Sequence, residues 1–364
     1  MDHSFSRIGV GIVGASAHNP GWAVRAHIPA IAALPDDFVL RAVSTRSQAS
    51  ADAAQVAFGV PAFHGVDDLV RADGVDLVVV AVKVPQHFEI VSAALDAGKM
   101  VLCEWPLGRT LDEAERLADL ADAKGVRTLV GLQGRYAPAV RHAKALIRDG
   151  YVGEVLATTL LGSATLWNGV SQRAQAYVFD AAQGANVLSV STLHALDALH
   201  DILGEFRTMQ ASTALRRPRV WLADEAVHIE ATAADHVAIH GQLDSGALAS
   251  VFYRGGVSRA RNLRWEINGS DGDLLLTADL GNLPVADIRL QGGRGSDSQM
   301  APICPSAEIA AGPGGVAGDL GANTLRLYAD FARDLRTGSH NAPDFRHAVK
   351  RHRELAALER SARS

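Results

Sequence analysis

Cysteine is almost missing from this chain: Cys103 and Cys304 are the whole supply in 364 residues. Two thiols build neither a disulfide framework nor a cysteine-based metal centre. Cys103 lies inside an apolar run and reads as core. So little cysteine suits a reducing compartment, and a cytoplasmic location is expected. Long apolar runs are missing too, since none approaches the roughly 20 residues that a membrane span needs. Met1 to Arg7 is polar and leads straight into a strand, unlike a secretory leader. Charge of one sign is not in excess: the formal net charge is -5 and Lys and Arg are spread along the chain. That provides no long-range attraction for nucleic acid. The densest basic cluster, Arg346 to Arg353, alternates with apolar residues and reads as one face of a terminal helix. His340, His347 and His352 are expected at the surface. No internal repeat is found. What remains is a composition of 48% hydrophobic and 21% charged residues, suited to packed cores, in a chain long enough for two domains.

The first part alternates two periodicities. Short apolar runs at Ile8 to Val13, Val39 to Ser44, Leu77 to Val82, Met100 to Cys103 and Thr128 to Val130 predict buried strands. Helical spacing at Trp22 to Leu34, Ser50 to Phe58, Phe88 to Ala97 and Leu111 to Lys124 fills the gaps. Such alternation predicts parallel pairing through right-handed crossovers, hence an α/β Rossmann doubly wound sheet over residues 1–132. Its ligand belongs at the carboxyl ends of the strands. After a helix at Pro138 to Arg148 the pattern changes. Strand-like segments at Val155 to Leu161, His236 to Leu243, Ala247 to Tyr253, Leu263 to Asn268 and Leu274 to Ala278 are separated by turn signals such as Asp244-Ser245-Gly246. Residues 133–320 are therefore expected to form an α+β domain with a largely antiparallel, open-faced sheet for substrate and oligomerisation. Residues 291–318 read as a long loop. Residues 321–364 read as terminal helices, Leu320 to Arg336 and Phe345 to Ser361, packing back on the body.

The first strand runs into Gly14-Ala15-Ser16-Ala17 and a helix near Trp22. Strand, glycine turn and helix in this order suit a dinucleotide pyrophosphate, which main-chain N–H groups bind. Gly14, Ser16, Ala17 and Trp22 are its candidate contacts. The second strand ends Ser44-Thr45-Arg46-Ser47, where an NAD-specific site would carry a carboxylate for the ribose hydroxyl. Ser44 and the Arg46 guanidinium suit a 2′-phosphate instead. NADP(H) is the preferred cofactor on this reading, with NAD(H) second.

Several motifs stand in a telling order. Gly14-Ala15-Ser16-Ala17 is followed by His27-Ile28-Pro29-Ala30-Ile31, Glu104-Trp105-Pro106, Leu132-Gln133-Gly134-Arg135, Gly150-Tyr151-Val152-Gly153, His194-Ala195-Leu196-Asp197, Asp235-His236 and Asn268-Gly269-Ser270-Asp271-Gly272. With this set the chain resembles the glucose-fructose oxidoreductase / inositol dehydrogenase (Gfo/Idh/MocA) family over nearly its whole length. It most resembles the branch of the fungal galactose-regulon repressor, which has the dehydrogenase fold and binds a dinucleotide but works as a regulator. The resemblance implies a cofactor lined by Val82, His87, Glu104, Trp105 and Gln133 as well as by the first turn. It also implies where catalytic groups would stand. The family's lysine before proline becomes Trp105, the aspartate of its Asp-x-x-x-His pair becomes Val190, and only His194 survives, with Asp197 one turn further on.

Lys83, at the end of the central strand, and His194 are therefore the candidates for moving a hydroxyl proton, with Asp197 beside His194. His87 would orient Lys83 or cap its helix. Trp105 would pack, or form a platform for a nicotinamide or sugar ring, and its bond to Pro106 is a candidate cis peptide. Arg135 is expected at a domain junction, as a substrate contact or an ion-pair partner; Asn168, Tyr177 and Asn186 are the other substrate candidates. His200 and Asp201 read as structural. The spacing of His194, Asp197 and His200 is common, and no metal site is assigned. The expected partner is a small hydroxylated molecule such as a sugar, without nucleic acid or membrane, in a likeness-based homodimer or larger homo-oligomer. Two functions fit: a nicotinamide-dependent oxidoreductase, or a non-catalytic dinucleotide-responsive regulator.

Overall fold

The computed structural model describes residues 6–306, 309 and 320–362. Six strands form the first sheet: β1 (Ile8–Val13), β2 (Phe38–Thr45), β3 (Ala62–His64), β4 (Leu77–Val80), β5 (Met100–Glu104) and β6 (Thr128–Gly131). Their order is β3-β2-β1-β4-β5-β6, with every neighbouring pair parallel. Every side chain of β1 and β4 is buried, as the unbroken apolar runs require of strands covered on both faces. The chain leaves β1 toward β2 on one side, and β4 continues on the other, so the switch point lies at the carboxyl end of β1.

Helices α1 (Ile28–Ala32), α2 (Gln48–Phe58), α3 (Asp67–Arg71), α4 (His87–Asp96) and α5 (Leu111–Lys124) join these strands. The helix expected from Trp22 opens instead as a π-helical turn, Ala23–His27, before becoming α1. Elsewhere the stop and start signals act as the residue types predict. Ser47 accepts from Ser50 N at the start of α2, Thr110 accepts from Glu113 N at the start of α5, and Gly59 and Gly125 end these helices in the left-handed region.

The second part contains α6 (Pro138–Arg148), β7 (Val155–Ala164), β8 (Val170–Ser171), α7 (Leu193–Leu203), β9 (Phe206–Ala214), β10 (Arg219–Leu222), β11 (Val227–Glu230), β12 (His236–Leu243), β13 (Leu248–Gly255), β14 (Leu263–Gly269), β15 (Gly272–Ala278), β16 (Arg289–Arg294) and β17 (Ala301–Ile303). Eight strands form one sheet in the order β17-β16-β15-β14-β7-β13-β12-β9, and β11-β10-β8 form a small second one. The large sheet is antiparallel except between β7 and β13. The π-helical turn Val187–Thr192 packs on β12 and β13, and α6 on β15 and β16, while Leu156 and Leu248 stay exposed.

One expectation is corrected here. Part of the segment 291–318 is not loop: β16 pairs with β15 and with β17, its glycines allowing close approach between strands. Residues 307, 308 and 310–318 lie outside the described residues. Two helices follow, α8 (Ala322–Thr337) and α9 (Phe345–Ser361). The described residues divide between two compact units, one drawn from Met1–Leu132 and Ala311–His352, the other from Gln133–Ala310 and Arg353–Ser364. Among the described residues, no helix is long and apolar enough to cross a membrane.

Candidate functional site

Register places the candidate residues of the first unit along one rim. Ser44, Val13, Val80, Cys103 and Val130 pair across β2, β1, β4, β5 and β6 as a single row. The residues just beyond that row are Arg46, Gly14 to Ala17, Val82 and Lys83, and Glu104 to Pro106. At the end of β1 the backbone turns through Gly14 at φ 101°, where an added Cβ would lie 2.5 Å from Ala81 O. Only glycine fits. Gly14 N donates to Ser44 O at 2.9 Å, tying the first turn to the end of β2. Ser16 Oγ accepts from Asn19 N at 3.3 Å and lies 3.5 Å from Ser50 Oγ at the start of α2. Ser44 Oγ and Trp22 Nε1 are buried with no hydrogen-bond partner among the described residues. Arg46 is exposed and forms no ion pair among them. Buried polar atoms lacking partners cost free energy unless a ligand or water satisfies them. This polar, glycine-cradled turn fits a dinucleotide.

Lys83 is exposed and opens the 3-10 turn Val84–Gln86. His87, first residue of α4, is buried, with Nδ1 2.8 Å from Pro106 O and Nε2 3.1 Å from Val82 O. Burial pushes its pKa down, against the pull of those carbonyls and of Glu104. Glu104 Oε1 lies 3.0 Å from His27 Nε2, and His27 Nδ1 lies 3.0 Å from the Tyr328 hydroxyl. Burial, and then the Glu104 charge, hold the Tyr328 phenol protonated, its pKa well above the ordinary value. A carboxylate, an imidazole and a phenol thus brace the end of β5 from below. The Trp105–Pro106 bond is cis. Trp105 is 5% exposed, and its ring lies 4.7 Å from that of His352. His352 corrects a further expectation: it is buried, not at the surface, because it faces the indole. Burial, with His87 nearby, takes its pKa down to about 3. His340 is exposed and His347 half-buried.

In the second unit, Arg135 and Asp197 are brought together. Arg135 Nε and Nη2 donate to the two Asp197 oxygens at 2.7 and 2.6 Å, and Nη1 reaches Asp201 at 3.4 Å. Lys144 Nζ donates to Asp201 at 2.7 Å. Burial opposes the guanidinium charge, but Asp197 and then Asp201 outweigh it and raise its pKa. His194 is buried one turn before Asp197, and Gly134 packs against its carbonyl, where an added Cβ would lie 3.1 Å away. Gln133 is buried in the turn Gln133–Tyr136. Asn186 is a helix cap, its Oδ1 accepting from Ser189 N at 3.0 Å. Asn168 is exposed and its Oδ1 accepts from Gly169 N at 2.8 Å. Tyr177 lies in a separate 3-10 turn, and burial raises its pKa. His200 bonds Gly204 O at 2.9 Å and Glu354 Oε1 at 2.7 Å, so His194, Asp197 and His200 do not converge on one point. A cavity of about 700 Å³ opens at the turns around Asp271 and Asp297, and none of the candidates lines it.

Residues 8–132 match the family described as oxidoreductase family, NAD-binding Rossmann fold, and residues 138–278 match Gal80p, C-terminal domain. Dehydrogenase aclE of Aspergillus oryzae is 35% identical over 279 residues, 74% of this chain and 76% of that protein. The chain belongs to the Gfo/Idh/MocA oxidoreductase family. Within it, the galactose/lactose metabolism regulatory protein GAL80 of Saccharomyces cerevisiae is 29% identical, over 82% of this chain and 74% of that one. A super-repressor mutant of the same yeast protein superposes with a TM-score of 0.88 at 23% identity, covering 98% of this chain and 96% of that one. A levoglucosan dehydrogenase in complex with NADH and L-sorbose superposes at 0.84 with 22% identity, covering 98% and 97%. These last two likenesses show the fold. Reasoning from sequence missed His27, Tyr328 and His352. The motif around His27 signalled the first; nothing local marks the other two, because their partners lie far away in the chain.

Proposed function

We propose that this chain is an NADP(H)-dependent oxidoreductase acting on a sugar or similar small hydroxylated compound, with NAD(H) as the weaker cofactor. The rim at the ends of β1 and β2 supports this reading most: among the described residues Ser44 Oγ and Trp22 Nε1 lack partners and Arg46 has no ion pair, and no carboxylate directly follows β2. When bound, the nicotinamide supplies or accepts the hydride. Gly14 lets the main chain approach a pyrophosphate, and Arg46 pairs with the extra phosphate. Lys83 Nζ exchanges the proton of the substrate hydroxyl, with the His194 imidazole as the alternative group. A positioned acid or base contributes roughly 10²–10⁴-fold, so one of them has to replace the lysine absent at Trp105. A homodimer belongs to the same proposal.

One observation favours a second reading. Where relatives of the wider family carry a proton-handling amine, this chain has an indole packed on His352, and the region after it matches the C-terminal domain of Gal80p. A regulator would bind the dinucleotide without turning it over. Calorimetry with NADP and NAD, followed by turnover assays on sugars and aromatic alcohols, separates the two. Turnover lost in Lys83→Ala or His194→Ala supports the enzyme. Tight binding with no turnover on any substrate supports the regulator, and no binding of either nucleotide refutes both.

A further inference from the structure

The two His87 contacts present a problem of proton count. Pro106 O and Val82 O only accept, so each asks for an N–H from the ring. A neutral imidazole has one. A ring cation would satisfy both, but His87 is 1% exposed and burial disfavours its charged form. The neutral ring must choose.

Its neighbours decide the choice. Cys103 Sγ lies 3.3 Å from His87 Nδ1 and 4.0 Å from Leu107 O. With the proton on Nδ1, Pro106 O gains its donor at 2.8 Å, the thiol is left to Leu107 O, and a lone pair faces Val82 O at 3.1 Å. With the proton on Nε2, the thiol donates to Nδ1, but the unrelieved approach of nitrogen to carbonyl is the closer one, at Pro106. Repulsion grows as distance shrinks, so the first arrangement wins. The other titratable groups around the ring are Glu104 on β5 and His352 on α9. His352 Nε2 is buried without a hydrogen-bond partner among the described residues, and its ring packs against Trp105. His87 is a polar anchor of the Trp105–Pro106 turn.

We propose that His87 is a positioning residue: as the Nδ1–H tautomer it donates to Pro106 O and ties the Trp105–Pro106 turn to the start of α4, the helix into which the Lys83 turn leads. His87 follows Lys83 by four residues and Pro106 follows Trp105, so one ring links the segments that leave two neighbouring strands at the candidate site. Its catalytic consequence rests on the reading of Lys83 as the proton-transfer group.

Two measurements test it. Long-range ¹⁵N–¹H spectra of the whole protein, with His87 assigned through His87→Asn, should show a protonated Nδ1 and a bare Nε2 at neutral pH. The opposite tautomer, or a doubly protonated ring, overturns the proposal whether or not the protein is an enzyme. In turnover, His87→Leu should lower kcat by about tenfold or more, while NADP affinity moves far less, since the residue acts through placement of the acid/base. His87→Asn, which retains an N–H donor, should recover most of that loss. Equal loss in both variants, or an unchanged kcat in His87→Leu, refutes the positioning role. Wild-type protein that binds nucleotide yet turns nothing over removes the enzyme reading alone, and the spectra still decide the tautomer.

Discussion

Arg135 either contacts substrate or serves only to hold Asp197, and replacing one partner or both tells these apart. Asp197 is 0% exposed and accepts from two guanidinium nitrogens at 2.7 and 2.6 Å. Arg135→Met leaves that carboxylate buried opposite a thioether. Breaking one side of such a buried pair costs about 3–5 kcal/mol. Lys144 stays bound to Asp201, not Asp197, so it does not replace the lost charge. Replacing both residues, Arg135→Met with Asp197→Leu, removes charge and partner together and should restore most of the loss. Urea denaturation of the four proteins measures these terms. A single-variant loss below about 1 kcal/mol would sink the argument, since that is the range of a solvent-exposed pair. Turnover adds a second readout. A double variant that folds and keeps its kcat assigns the pair to structure; one that folds and loses activity returns Asp197 or Arg135 to the chemistry.

Four further outcomes are expected. Arg46→Ala should weaken NADP(H) by about 1–3 kcal/mol in calorimetry and leave NAD(H) nearly unchanged, as expected of a charge-assisted bond to one phosphate. Gly14→Ala should abolish detectable nucleotide binding, because its Cβ would meet Ala81 O at 2.5 Å in a backbone conformation alanine disfavours. Tyr328→Phe should cost about 1–3 kcal/mol in denaturant unfolding, since it strands a buried His27 nitrogen. His352 is neutral in the fold down to about pH 3, below its unfolded value, so the unfolded chain binds the extra proton between the two. Stability should therefore fall as pH drops from about 6.5, by an amount on the order of a few kcal/mol, and His352→Gln should flatten that slope in acid titrations of the midpoint.

The chain itself declares its architecture because the relevant signals are local. Unbroken apolar runs such as Leu77 to Val80 specify strands covered on both faces, Ser47 and Thr110 start helices, and Gly14 marks the turn where a side chain would collide with Ala81. β9 leaves little mark in the sequence because its exposure pattern is mixed and its apolar content low, and β10 and β11, at four residues each, are too short to establish a period. β17 is only three residues long and follows glycines that read as loop. At the candidate site, the rim residues of β1, β2, β4 and β5 were legible because strand ends follow directly from strand positions.

What sequence could not settle is which side chains meet across long separations. Asp197 follows His194 in a pattern that suggests joint chemistry, yet its carboxylate is taken by Arg135, sixty-two positions away. Asn186 looks like a substrate contact and serves as a cap. Tyr328 and His352 have no local mark at all, and only the return of α8 and α9 to the first unit brings them against His27 and Trp105. Periodicity and turn chemistry are written residue by residue, so sequence alone determines the strands, the helices and the glycine turn. The company each buried polar group keeps depends on packing between distant segments, and tertiary structure alone decides it.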